Sequence, residues 1–375
     1  MAFLRPQAWR GLSTVTILCC LLGHVHTERR IGIQVRLTAD GRPLGTERQQ
    51  VAASTLMAAR HVNDRISTIV PPEVVALLPT DFKLGWEIRD TFSSPQVGVR
   101  DAVDWTGLET ENAAEQPVDI IIGAIRSAVT GPVSLVAQVT NTPVLSYWST
   151  SAALSDKAIY PNFARTIPPD SVSAFGMVNI IADVGWTSFS VLFIDDLYGV
   201  GYSQELASLA GNLGLTVGTA QRYTSGDEDS IRNAMTNVKQ AGIRVVVVIA
   251  FAADMSAILR LSEQSGTSGR GWIWITGDAG DPFSVLDDSG DRAWAAEQLH
   301  GWLQVQPAAF AGENGPRFQR AWLSEPRATF NHSLLGNAAD GDLQASSCPE
   351  ICGFAYDAVW AAAMAISKSL PAEGE

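Results

Sequence analysis

Histidine, cysteine and long apolar runs are scarce in this 375-residue chain, and each scarcity removes a class of function. Of five histidines, His24 and His26 fall within the first 27 residues, which leaves His61, His300 and His332 widely scattered. Cys19 and Cys20 lie in the same leader, so only Cys348 and Cys352 of "SSCPEICGF" remain. A metal centre needs more ligands than these, and neither a metal nor another cofactor is expected. No P-loop, G-x-S-x-G, H-E-x-x-H or acidic cluster of metal spacing occurs, so the chain itself offers no enzyme chemistry. Positive charge is also low. With 26 basic against 39 acidic residues the net charge is −13, which argues against nucleic acid and anionic membrane surfaces as partners. Beyond the leader no segment reaches 18 consecutive apolar residues, so no later membrane span is expected.

The leader itself, "MAFLRPQAWRGLSTVTILCCLLGHVHT", places Arg5 and Arg10 ahead of an apolar run from Leu12 to Leu22. Short residues follow, the pattern of a secretory signal cleaved near Thr27. Removing it takes two arginines and no acids, leaving 24 basic and 39 acidic residues and a net charge of −15. An oxidising compartment makes a short-loop disulfide between Cys348 and Cys352 the default. Asn331-His332-Ser333 is a glycosylation sequon.

What the chain has in abundance is alternation. "RIGIQVRL", "FKLGWEIRDT", "VDIIIGAI" and "TPVLSYW" read as strands, each followed by a stretch of helical spacing or by a turn. After "ARTIPPD" a second set begins, with strands "WTSFSVLFI", "LTVGTAQRY", "IRVVVVIA" and "GWIWITGD" set between helices. This predicts an α/β protein of two doubly wound parallel-sheet lobes. The domains are drawn as signal 1–27, lobe 1 over 28–164, lobe 2 over 165–304 and a return to lobe 1 over 305–375. Open parallel sheets bind ligands beyond the carboxyl ends of their strands.

Several hydroxyls sit at such an end. "LSYWSTSAALSD" leaves its strand through Ser146, Ser149, Thr150 and Ser151. In "DIIIGAIRSAVTGPVS", Ser127 falls near a helix N-terminus, where unpaired amides and the dipole favour an anion. Ser127, Ser149 and Thr150 together suit a carboxylate; the alternative is that Ser127 merely caps the helix. "DDLYGVGYSQEL" offers Gly199-x-Gly201 but Gln204 in place of a third glycine, so a dinucleotide is not expected. Asp195 and Asp196 read as the border of a solvated loop rather than an acid–base pair.

The run "IIIGAIRSAVTGPVSLVAQVTNTPVLSYWSTSAALSDKAIYPNFARTIPPD" resembles the receptor family ligand-binding region. That family includes metabotropic glutamate and GABA type B receptors, natriuretic peptide receptor cyclases and bacterial amino-acid-binding proteins. Weaker echoes, from "IGIQV" through "DTFSSP" and "ITGD" to "GFAYDAVWAAAMAI", extend the resemblance over about residues 30 to 370. It implies a type I periplasmic-binding-protein-like clamp that closes on a small ligand. By likeness to the glutamate-type receptors, Ser127 and Thr150 would hold a ligand's α-carboxylate, and Asp170, Tyr198 and Asp278 would surround its α-ammonium. Trp148 stands where a small residue is usual, and either fills the pocket or stacks on the ligand. Arg126 either takes a second anionic group or faces solvent, the latter being preferred. Three crossings between lobes are usual, and "SKSLPAEGE" has no residues for the third, so the chain reads as C-terminally incomplete.

The resemblance implies the extracellular ligand-binding region of a membrane receptor of the class C G-protein-coupled type, sensing an amino acid or analogue. A homodimer or heterodimer through lobe 1 and a G protein or other effector engaged downstream are the implied partners. The rival readings are the ectodomain of a receptor guanylate cyclase and a free secreted binding protein.

Overall fold

The computed structural model describes residues 29–39, 42–43, 46–108, 117–277, 285, 291–308, 310, 312–335 and 343–370. The proposed leader and Asp278 lie outside the described residues.

Two five-stranded sheets organise the chain. The first holds β1 (Arg29–Val35), β4 (Leu84–Asp90), β5 (Ile120–Ile122), β6 (Val144–Ser146) and β7 (Phe163–Arg165), in the order β4-β1-β5-β6-β7. Between β1 and β4 a two-residue ladder joins β2 (Thr38–Ala39) to β3 (Arg42–Pro43). Helices α1 (Thr46–Asn63), α2 (Pro95–Thr106) and α3 (Ser127–Val139) connect the main strands. The second sheet holds β8 (Ser188–Ile194), β9 (Thr216–Tyr223), β10 (Val245–Ile249), β11 (Ile273–Thr276) and β12 (Trp302–Gln304), in the order β12-β11-β10-β8-β9. Its helices are α4 (Asp170–Asp183), α5 (Leu197–Asn212), α6 (Glu228–Gln240), α7 (Ala252–Ser265) and α8 (Arg292–Gln298). Every pairing in the two sheets is parallel. Helices therefore cover both faces, and the unbroken apolar run of β10, "VVVVI", is buried along its whole length.

Both sheets reverse direction in the same way. From β1 the chain moves outward to β4 and then places β5 on the other side of β1. From β8 it moves to β9 and then places β10 on the other side of β8. Such reversals open a crevice at the carboxyl ends of the two central strands. Here those crevices lie beyond Val35 and Ile122 in lobe 1, and beyond Ile194 and Ile249 in lobe 2.

Each lobe has its own core. Phe189, Leu192, Val247 and Trp274 belong to the lobe 2 cluster. In lobe 1, Ile31, Ile33 and Met57 share a cluster with Phe318, Trp322, Tyr356 and Trp360. Those four come from α9 (Asn314–Ser324) and α10 (Glu350–Ser369), so the chain returns to lobe 1 after β12. A disulfide joins Cys348 to Cys352 where α10 begins, with Cα atoms 6.1 Å apart. A third cluster, around Trp105, Ile121 and Val129, lies on the other face of the first sheet and takes in Leu197 from lobe 2. Among the described residues no helix is long and apolar enough to cross a membrane. Nor does any group of three His, Cys, Asp or Glu among them offer a metal site.

The returning segment is tied to α1 by a buried polar cluster. Arg60 Nη1 donates to Glu325 Oε1 at 2.6 Å, and Thr329 Oγ1 donates to the same oxygen at 2.8 Å. His61 Nε2 lies 3.0 Å from Glu325 Oε2, while its Nδ1 lies 2.8 Å from the Tyr356 hydroxyl. Burial pushes the Glu325 carboxyl up, but the bonds from His61, Arg60 and Thr329 outweigh it and hold the group below its ordinary value of 4.5. A depressed carboxylate pKa adds stability above its unfolded value, and that stability is lost as the pH falls through the folded one. Glu325→Gln should therefore lower unfolding free energy at neutral pH by about 1.5–3 kcal/mol, the range for hydrogen bonds to a charged group. Denaturant titrations of both proteins should show the difference shrinking on acidification below about pH 4.

Candidate ligand-binding site

The lobe 1 crevice is shaped by how the chain leaves β5. Gly123 has φ of 119°, a conformation that favours glycine. A Cβ there would stand 2.5 Å from the carbonyl oxygen of Gln34. The next residue, Ala124, is held by three buried hydroxyls. Its N–H donates to Thr130 Oγ1 at 2.9 Å, and its carbonyl accepts from Ser146 Oγ at 2.7 Å and Ser149 Oγ at 3.0 Å. Thr130 and Ser149 also bond each other at 2.7 Å. Ser149 is thus engaged inside the turn, not turned toward the crevice.

Ser127 begins α3, and the residue in the N-cap position is Arg126, whose side chain makes no capping bond. Capping is therefore not what Ser127 does. Its hydroxyl oxygen accepts from the Ser151 N–H at 3.2 Å, which leaves its own O–H as a donor. The amides of Ser127 and Ala128, in the first turn, have no acceptor among the described residues. Thr150 is buried, its carbonyl accepting from the Asp170 N–H at 2.8 Å. Its hydroxyl makes no hydrogen bond among the described residues. Arg165 fixes this segment by donating to the carbonyls of Ser149 and Ser151 at 3.1 and 2.9 Å.

From lobe 2, Asp170 opens α4 and is buried. Tyr198, also buried, stacks on Phe251 at 5.4 Å between centroids and meets Tyr202 edge-on at 5.8 Å. Its hydroxyl lies 3.4 Å from where a Cβ on Gly277 would stand, so the end of β11 passes directly beside it. Asp196 is half-buried and caps α5 by accepting from the Gly199 N–H at 3.0 Å, rather than bordering a solvated loop. Burial raises its carboxyl above the ordinary range. Asp254 accepts from Ser225 Oγ at 2.8 Å, from Gly226 N–H at 3.0 Å and from the Tyr223 hydroxyl at 3.3 Å.

Arg126 does not face solvent, contrary to the expectation above. Its guanidinium carbon sits 3.8 Å from the centroid of the Phe251 ring in the other lobe. Burial lowers its pKa, and Asp196 and Asp254 oppose that shift. The local sequence around Arg126 could not show this, because the partner ring lies more than a hundred residues away on the other sheet. Arg48, near the start of α1, is a second cation within the field of Arg126. Burial lowers its pKa as well. Trp148 is partly buried and leans on Phe354 of α10 at 5.9 Å between centroids. The lobes also touch where Ser151 Oγ donates to the Leu197 carbonyl at 2.9 Å.

Ser127 is thus joined to Ser151, Thr150 to Asp170 at the crossing, and Ser151 to Leu197 beside Tyr198, while Ser149 is enclosed in the turn. Phe251, Arg48 and Asp254 were not singled out from sequence. The only available signal was that "VVVVIAFAAD" ends a buried strand at the reversal point of lobe 2.

Comparison with known proteins agrees with this architecture. Metabotropic glutamate receptor-like protein E of Dictyostelium discoideum is 26% identical over 276 residues, covering 72% of this chain and 31% of that protein. Metabotropic glutamate receptor 8 of Homo sapiens is 29% identical over 164 residues, 42% of this chain and 18% of that protein. Taste receptor type 1 member 3 of Mus musculus is 28% identical over 221 residues, 54% of this chain and 26% of that protein. The chain spans about a third or less of the length of these relatives. The family model described as the receptor family ligand binding region matches residues 74–373. With two parallel-sheet lobes and a match over most of its length, the protein belongs to the receptor family ligand-binding region.

Proposed function

We propose that this chain is the extracellular ligand-binding region of a class C receptor-like membrane protein, and that it senses a free α-amino acid by closing its two lobes. The observation that carries this reading is the division of polarity across one cleft. Lobe 1 offers open first-turn amides and two hydroxyls, at Ser127 and Thr150. Lobe 2 offers the Asp170 carboxylate and the ring of Tyr198. Helix amides and hydroxyls favour a carboxylate, while a carboxylate and an aromatic face favour an ammonium. A zwitterion therefore bridges the lobes, and Asp278 follows Gly277 in sequence as a further acidic group for the ammonium. That the relatives are metabotropic glutamate and taste receptors favours a G-protein-coupled receptor over a receptor cyclase or a free binding protein.

The same reading includes secretion through the leader, N-glycosylation at the exposed Asn331, dimerisation through lobe 1 and an effector engaged by a membrane region. It also gives Arg48 a role. Two cations in each other's field on the ligand side of lobe 1 favour an anion beside them. An amino acid with an acidic side chain supplies one.

Titration calorimetry against a panel of free L-amino acids tests both statements. Ser127→Ala and Thr150→Val should each weaken binding by about 10- to 100-fold, from loss of one bond to a charged group. Thr150→Val should leave the melting temperature unchanged, whereas Ser149→Ala should lower it, since Ser149 serves the turn. Unchanged affinity for every amino acid in both site variants would place the ligand elsewhere. Arg48→Gln should weaken acidic amino acids selectively; an equal loss for neutral ones would remove the acidic preference.

A further inference from the structure

We propose that Arg126 is a positioning residue that clasps the two lobes, through its stack on Phe251, before any ligand arrives. Arg126 closes the turn beyond β5 at the lobe 1 reversal point, and Phe251 follows β10 at the lobe 2 reversal point. Their contact at 3.8 Å therefore joins the two places where each sheet opens its crevice. Phe251 in turn stacks on Tyr198, so one column runs from the residue beside Ser127 to the ring proposed to face the ammonium. The inference rests on the ligand-binding reading for its purpose, though not for its geometry.

Chemistry explains why the clasp holds. Arg126 makes no ion pair within 4 Å among the described residues, and its Nε is buried without a hydrogen-bond partner there. The carboxylates in its field are engaged elsewhere, Asp196 with Gly199 N–H and Asp254 with Ser225 and Gly226. What lobe 2 offers the cation at short range is the face of Phe251. Opening the lobes would rehydrate Arg126, which opposes the clasp. A guanidinium is weakly hydrated and planar, so stacking on a ring costs it less than it would an ammonium. The side chain is only partly buried, so part of its edge keeps its water. The acidic field of Asp196, Asp254 and lobe 2 adds to the attraction. The bond from Ser151 to Leu197 is a second contact between the lobes that would close with it.

The test reads the distance between lobes with no ligand present. Spin labels at the exposed Gln138 and Ser208, on α3 and α5, report it by double electron–electron resonance. Arg126→Ala should lower the ratio of closed to open molecules by about 5- to 30-fold, the equivalent of about 1–2 kcal/mol. Phe251→Leu, made on the other lobe, should do the same, and the double variant should go no further than either. Arg126→Lys should restore part of the closed population, because the cation is kept. An unchanged distribution in Arg126→Ala, or additive effects in the double variant, would overturn the clasp. If no amino acid binds and Arg126 still sets the distance, the ligand reading fails and the clasp stands. If amino acids bind and the distance ignores Arg126, the reverse holds.

Discussion

Three buried hydroxyls, on Thr130, Ser146 and Ser149, hold the backbone of Ala124, and the rest of the cleft depends on that hold. A chain leaving a buried parallel strand carries N–H and C=O groups that the sheet no longer pairs, and leaving them unpaired in the interior costs about 1–3 kcal/mol each. The hydroxyls satisfy those groups from β6, from the segment that follows it and from α3. In doing so they fix the turn that sets Arg126 at the cap of α3 and Ser127 at its first position. The open amides of α3, the direction of Arg126 and the bond from Ser151 to Ser127 all follow from this one anchored turn.

The second constraint is that the lobes have separate cores. The lobe 2 cluster closes on itself, and the returning α9 and α10 complete the lobe 1 cluster. Relative motion of the lobes then leaves the two main clusters packed and disturbs only the contact of Leu197 with the third cluster, the condition for hinge closure rather than local unfolding. The crossing near residues 166–170 is nevertheless tied at both ends. Thr166 donates from its N–H to the Ser146 carbonyl and from its hydroxyl to the Phe354 carbonyl, and Asp170 donates to Thr150. These ties run from the crossing to lobe 1, so the first turn of α4 sits at the pivot from which the rest of lobe 2 extends. The Arg126–Phe251 contact lies at the opposite kind of position, between elements free to part.

Strand and helix alternation made the fold class legible, because apolar runs such as "VVVVIA" separated by helical spacing have few other solutions. The likeness of the turn at Ser127, of "SYWSTSAALSD", of "RTIPPD" and of the "YG" at Tyr198 to a family pattern singled out Ser127, Thr150, Asp170 and Tyr198 as one set. Ser149 was harder to sort. A hydroxyl that satisfies a buried turn and one that meets a ligand share the same residue type at the same strand end, and only the direction of the side chain separates them. Arg126 was misjudged for a related reason. An exposed-looking arginine in a turn is usually solvated, and its burial here comes from Phe251, a residue whose proximity arises only when two sheets face each other. Arg48 escaped notice because an arginine in the first turn of a helix carries no local mark of burial.

The arrangement has an energetic consequence for a ligand that bridges the cleft. On the proposed reading, lobe 1 and the lobe 2 side of the cleft each present part of what a zwitterion needs, so binding to one wall alone would leave a charged end in water at little cost and little gain. Closing the second lobe removes that end from water, and the removal is favourable only if groups of the opposite polarity meet it. A ligand with one charge would close the cleft against an unmatched face, at a desolvation cost with no return. On the proposed reading, selectivity for a free amino acid would come from the act of closure, since a state's population shifts only as far as the ligand's differential affinity for it allows. A clasp worth about 1–2 kcal/mol acts on the same equilibrium from the protein's side. It lowers the part of the closure that the ligand must drive, strengthens every bridging ligand by one common factor, and leaves the choice among them to the polar groups on the two walls.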